Sequence, residues 1–182
     1  NRNPGLDYVN IESARKSVFS LDVTTSFCTF YDGRLWIGNF TEYHSTEQAY
    51  IYGYHFISYQ DTLMIDHSPG STICMKSMDR VQGIAFLKYN NKVYLTLSRS
   101  YRRKKAVDYI SELRIFQSDS FSSINVDTDF YKSITLPPMA EDITSASPYT
   151  YLVFESAAKK YSADCAYPNN RICRFLTFGL IV

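Results

Sequence analysis

By type, the residues best suited to chemistry are two carboxylates and an amide: Glu141 in "PPMAEDI", Glu155 in "YLVFESA" and Asn39 in "IGNFT". Carboxylate and amide oxygens are the donors that a hard cation such as Ca2+ takes. Brought together, the three would form an oxygen-rich metal site. Apart, they would satisfy backbone N–H groups and lock neighbouring elements. The histidines, His44, His55 and His67, lack the helical spacing of a zinc protease. His44 in "EYHSTEQ" sits between Glu42 and Glu47, the setting of a general base or of a solvated loop histidine. Neither a GxSxG nucleophile elbow nor a phosphate-cradling GxxxxGK[ST] loop occurs.

A second candidate is "RSYRRKK" at 99–105, with five cations and one Tyr in seven residues. Arg99, Arg102 and Arg103 would contact an anionic glycan, nucleic acid or the acidic face of a partner, or form a solvated, protease-sensitive loop. Net charge over the 182 residues is only +1, which speaks against nucleic acid or a membrane surface as the main partner. The most apolar end, "FLTFGLIV", is strand-sized and too short to span a bilayer.

The elements that would position these residues are strands. Tyr (16) and Phe (12) are abundant, and aromatic residues favour pleated, half-buried surfaces. Three hairpins stand out: "SFCTFYDGRLWIGNF" (26–40), "VQGIAFLKYNNKVYLTLSRS" (81–100) and "EDITSASPYTYLVFESA" (141–157). Their turn pairs, Asp32-Gly33, Asn90-Asn91 and Pro148-Tyr149, recur every 58 residues. A third strand follows each: "AYIYGYHFI", "SELRIFQ" and "RICRFLTF". A fourth follows twice, as "DTLMIDHS" and "FYKSITLP". "KSVFSLDVT" near the start has the character of a fourth strand from a preceding unit.

A repeating four-stranded antiparallel unit is the signature of a β-propeller. The expected fold is all-β: about three four-stranded blades near 26–80, 81–138 and 139–182, with 1–25 ending a preceding blade, in one domain over 1–182. Propellers close with roughly four to eight blades, so three would be part of a ring completed by the same precursor, another copy or another chain. The fallback is a two-sheet sandwich. The first strand of a blade lines the central channel, so the positions just before it converge. Here those are Ser26, Gln82 and Glu141, with Asp142 beside the last; the second strands end in Asn39, Ser98 and Glu155.

The segments "FYDGRLWIGNF", "VQGIAF", "VYLTLSRSY", "LPPMAEDI" and "YLVFESAAKKY" together resemble a group of secreted bacterial β-propeller-like proteins. The group's pattern is DGxLWVGxF, VQGxAF, PPMxEG and LFESxAxKY, and the resemblance covers roughly residues 26–175. Its layout is similar to gluconolactonase-like and NHL-type propellers. The resemblance implies a propeller with further N-terminal blades. Gluconolactonase-like enzymes surround a metal with a mix of Glu, Asn and Asp comparable in type to Glu141, Glu155 and Asn39, without a residue-by-residue match. The chain departs from the pattern at Asp142, where Gly is usual, and in the basic "RSYRRKK".

Four cysteines without a CxxC pair argue against a zinc ribbon or a thioredoxin-type site. Cys165 with Cys173, and Cys28 with Cys74, are the candidate disulfides; four buried thiols are the alternative. With the sequon at Asn39, the even count points to a secreted glycoprotein. The function expected is a non-catalytic extracellular module, without cofactor or with Ca2+, that binds a protein or glycan through Gln82, Asp142, Arg99, Arg102 and Arg103. The alternative is a metal-dependent hydrolase of lactonase or phosphoesterase type.

Overall fold

The computed structural model describes residues 20–21, 23–40, 49–59, 62–66, 70–76, 80–102, 109–118, 121–165 and 168–182. The fold is all-β, in three sheets. Sheet 1 runs β1 (Phe27–Tyr31), β2 (Arg34–Gly38), β3 (Ala49–Tyr59) and β5 (Ser71–Lys76), with β4 (Thr62–Ile65) on the far half of β3. Sheet 2 runs β6 (Val81–Tyr89), β7 (Lys92–Arg102), β8 (Tyr109–Gln117) and β10 (Lys132–Leu136). Sheet 3 runs β11 (Ala140–Ala146), β12 (Tyr149–Phe154) and β13 (Cys173–Leu176). Within sheet 2, sheet 3 and the β1-β2-β3-β5 path, successive strands are antiparallel. One short strand, β9 (Ser123–Asn125), leaves the β8–β10 connection of sheet 2 and pairs in parallel with β5 of sheet 1. It covers a sheet edge that would otherwise offer unpaired backbone groups.

The tight turns follow from their residues. Asp32 and Gly33 have φ of 51° and 70°, and Asn90 and Asn91 have 48° and 61°. Two consecutive left-handed residues make the hairpin turn whose twist matches the strands, and Gly and Asn tolerate it best. The third turn differs from expectation by one residue. Ala146 pairs with Tyr149, so the turn pair is Ser147-Pro148, joined by a cis peptide bond.

Two other strand expectations change. The fourth strand of sheet 1 was expected at "DTLMIDHS", and β4 covers only part of it. "STICMK" becomes β5, which lies on the same edge of β3 and pairs with Ala49–Gly53, whereas β4 pairs with Phe56–Tyr59. "RICRFLTF" is a strand only through Leu176; Thr177–Ile181 forms a short helix, α1. Leu180 and Ile181 of α1 are buried in the sheet 2–sheet 3 core, and that demand overrides strand propensity. The expected segment "KSVFSLDVT" lies mostly outside the described residues. Leu21 and Val23 are described, and they pack against Ile37, Tyr54 and Ile65 on the outward face of sheet 1.

Sheet 2 lies between the other two, so a two-sheet sandwich does not describe the molecule. One core, between sheets 1 and 2, holds Trp36, Ile51 and Ile73 against Phe86, Leu95 and Phe116. Phe86 is its hub, with ring centroids 4.8 Å from Tyr31 and 4.9 Å from Trp36. The other, between sheets 2 and 3, holds Leu87, Leu113 and Ile115 against Ile143 and Leu152. The first strands β1, β6 and β11 are the ones that meet across these seams. Fully burying each such side chain contributes about 1.5–3 kcal/mol.

The cysteines are corrected here. None of the four is joined in a disulfide. Cys28 on β1 and Cys74 on β5 are separated by β2 and β3, three strand spacings or roughly 14 Å, beyond disulfide reach. Cys165 is buried, and Cys173 accepts a 3.5 Å hydrogen bond from Asn169.

Candidate functional site

The site grows from a backbone device that occurs twice. Arg80, before β6, has φ of 54°, and Met139, before β11, has φ of 57°. Each strand then carries a β-bulge. On β6, Val81 pairs with Arg99 and Gly83 with Ser98, leaving Gln82 extra. On β11, Ala140 pairs with Phe154 and Ile143 with Leu152, so Glu141 and Asp142 share one partner position. A bulge bends the strand and re-aims its side chains. The same closing bond recurs, Ser100 N–H to Arg80 C=O and Glu155 N–H to Met139 C=O. Gln82 and Glu141 are therefore counterparts, as are Gly83 and Asp142, and Ser100 and Glu155.

The two bulges touch. A Cβ on Gly83 would lie 2.5 Å from Asp142 Oδ1, 2.7 Å from Ile143 N and 2.8 Å from Asp142 Cα. Only glycine fits that approach. Buried hydroxyls stitch the seam. Ser98 Oγ donates to the Glu141 carbonyl at 2.6 Å, Ser111 Oγ accepts from Ala140 N–H at 3.1 Å, and Ser100 Oγ lies 2.9 Å from Ser111 Oγ.

At this seam the carboxyls of Glu141 and Glu155 come close enough to feel each other. Burial first, then the charge and hydrogen bond of Glu155 and the charge of Asp142, push Glu141 up to about 7. Burial also raises Asp142, against the opposing Ile143 N–H that donates to its Oδ1 at 2.8 Å. Cys28 on β1 is raised by burial and by the field of Asp142. Beyond Glu155, Lys160 lies 4.8 Å over the Tyr161 ring, and that ring meets Tyr109 edge-on at 6.5 Å. Raised that far, the Glu141 carboxyl is partly protonated near neutral pH. The site can therefore take up or release a proton in that range.

Asn39 was expected beside Glu141 and Glu155 in a metal cage. Asn39 Oδ1 accepts from Tyr50 N–H at 3.3 Å, where β3 begins, and is engaged there. Among the described residues no three of His, Cys, Asp or Glu converge as a metal group. Ser26 accepts from Phe40 N–H at 2.9 Å instead of joining the carboxylates. Gln82 is half-buried at its bulge.

Arg99 was expected on a basic loop. It is 7% exposed inside β7. Its guanidinium lies 3.1 Å from Asp127, 3.9 Å from Glu112 and over the Tyr101 ring, which removes it from any partner surface. The strand alternation that turns Arg99 inward was readable, because β7 continues through Arg102. Of Arg102 only the backbone is described; Arg103, His44 and His67 lie outside the described residues. His55 accepts from Arg34 at 3.0 Å on an exposed face.

Sequence reasoning missed the partners of Arg99. Arg114 lies 3.0 Å from Glu112 and 2.6 Å from Asp127 and stacks over Phe130. Asp127 is raised by burial, but hydrogen bonds and charge from Arg114 and Arg99 outweigh that and leave it lowered. The signal was present in "SELRIFQ", where the period of two places Glu112 and Arg114 on one face.

No family model matches this sequence, and no curated protein matches it. Among the described residues no helix is long and apolar enough to cross a membrane.

Proposed function

We propose that the three sheets are three consecutive blades of a β-propeller, and that the chain is a non-catalytic extracellular module that binds a protein or glycan partner. The observation that carries this is the repeated entry into β6 and β11, with β1, β6 and β11 meeting in order along one side. That arrangement is what blades around a channel require. The carboxyl pair supports the structural side of the reading, because both residues are tied into the seam through Ser98 and Met139. With no disulfide formed, support for secretion rests on the sequon at Asn39 and on the resemblance of the quoted segments to secreted propeller-like proteins. The partner-facing surface then lies in the connections after the second strands, among them Lys159, Lys160 and Tyr161.

One observation favours the metal-dependent hydrolase as a second reading. A carboxyl raised to about 7 beside two others is the kind of perturbation that marks active sites. Calorimetric titration with Ca2+ and Zn2+ separates the two. The module reading expects no saturable binding that depends on Glu141, and a Glu141→Gln protein that stays folded. Saturable binding lost in Glu141→Gln would establish the metal site and overturn the non-catalytic reading.

A further inference from the structure

The first strands β1, β6 and β11 end together at their turns, away from the bulges. There Tyr31 and Asp32, Lys88 and Tyr89, Ser147, and Phe178 of α1 are among the residues that line a cleft of about 590 Å³. That volume lies in the range of pockets that hold small ligands. The walls are aromatic. Tyr31 stacks on Phe86 with ring centroids 4.8 Å apart, and Tyr89 lies 6.4 Å from Phe178. Leu180 and Ile181 anchor α1 in the core, which holds Phe178 at the rim with half of its surface exposed. The charged groups of the lining are one acid and one base. Asp32 gives one oxygen to Arg34 at 3.2 Å and stays solvated, and Lys88 is exposed. Burial first, then the field of Asp32, raises Tyr31, so its phenol keeps its proton and can donate. Two backbone carbonyls of the lining are already engaged. Ser145 Oγ donates to Phe86 C=O at 2.8 Å, and Trp36 Nε1 donates to Tyr31 C=O at 3.2 Å. An extended peptide added as a strand would need such carbonyls, so side chains are what a ligand meets here.

We propose that this cleft binds a neutral glycan, with its pyranose rings against Tyr31, Tyr89 and Phe178. The inference deepens the proposed function and rests on the partner of that reading being a glycan. The face of an aromatic ring is electron-rich. The C–H groups on one face of a pyranose are weakly positive, so the two faces attract as their apolar surface leaves water. The hydroxyl groups around a sugar both donate and accept. Asp32 offers an acceptor, Lys88 a donor, and the Tyr31 and Ser147 hydroxyls offer both. One acid and one base leave the lining without net charge, which suits an uncharged ligand better than a phosphate or a uronic acid. A wholly apolar ligand would strip water from Asp32 and Lys88 without replacing it.

An array of neutral and acidic oligosaccharides probed with the full chain tests this, followed by calorimetric titration of each glycan retained. The expected result is binding of at least one neutral oligosaccharide, weakened at least tenfold in Phe178→Ala and, separately, in Tyr89→Ala. Tyr131→Ala, at an exposed ring outside the cleft, should leave it unchanged. Thermal unfolding checks that each variant is folded. Phe178→Trp keeps a ring in place, so it should retain binding, and its emission should shift when the glycan is added. An emission that does not respond overturns the proposal even where the Ala variants fail to fold. Retention of acidic glycans alone overturns the assignment of a neutral ligand. Neutral binding that survives both folded Ala variants overturns the cleft and leaves the glycan partner standing. An array that retains no glycan removes the glycan partner itself, and this inference with it.

Discussion

Sheets 2 and 3 begin with the same backbone and carry opposite electrostatics. Both enter through a left-handed residue, both bulge at the second or third position, and both close with the same backbone bond. Sheet 2 then builds a balanced cluster of Arg99 and Arg114 with Glu112 and Asp127. Sheet 3 instead places Glu141 in the field of Glu155 and Asp142, with no cation among the described residues beside it in that field, and its carboxyl is raised to about 7. The difference teaches that the bulge is scaffold. It delivers a pair of side chains to the seam, and the residue types decide whether that pair is neutral in charge or poised to titrate.

The largest expected effect breaks the contact between the two bulges. Gly83→Ala puts a methyl group within 2.8 Å of backbone atoms of sheet 3. It should cost about 3 kcal/mol, the upper part of the range for overpacking. Urea unfolding with an unchanged slope measures it. The reciprocal Asp142→Gly removes the contact from the other side and should be far milder.

Next comes the charge cluster on sheet 2. Arg114→Ala leaves Glu112 and Asp127 to Arg99 alone and should cost about 2 kcal/mol, the range for hydrogen bonds to charged groups. The loss should shrink in acid. Asp127 is held below its ordinary value when folded, so its contribution is present above pH about 4 and disappears as pH falls through the folded value.

Ser98→Ala removes the 2.6 Å bond to the Glu141 carbonyl and leaves a buried acceptor. It should cost about 1–2 kcal/mol. Its counterpart on sheet 3 is the solvent-side Val153, and Val153→Ser should be close to neutral, which sharpens the contrast.

The smallest effect is the most diagnostic. Glu141 is raised from 4.5 to about 7, so its contribution is full below pH 4.5 and is lost as pH rises through 7. After allowing for solvent at this half-buried site, about 1 kcal/mol should be lost, or roughly 2–4 °C in midpoint. Glu141→Gln should flatten that slope between pH 5 and 8, measured by thermal unfolding across the range.

Much of the architecture could be read from local chemistry. Asp32-Gly33 and Asn90-Asn91 announce their turns because few other residues tolerate consecutive left-handed backbone. The pairing of Glu141 with Glu155 was also within reach, since each stands where one strand of the third hairpin meets the seam. What escaped depends on tertiary demand. "STICMK" was overlooked as a strand because the neighbouring "DTLMIDHS" supplied a more obvious fourth strand for the same unit. The helix at Thr177–Ile181 forms where an apolar run with β character is needed to cap a core. Asn39 and Arg99 were assigned to sites by type alone, and each is claimed by a nearer partner, Tyr50 N–H and Asp127. The cysteine pairing failed on strand order, which spacing in sequence does not reveal.

The carboxyl pair carries the account, and carbon-13 NMR titration of the glutamate side chains tests it most directly. The predicted result is one carboxyl resonance that titrates near pH 7, disappears in Glu141→Gln and is unmoved by millimolar Ca2+. Glu141 ionising below pH 5, or a titration displaced by Ca2+, would contradict a raised carboxyl at the seam and point to a solvated carboxylate or a metal centre.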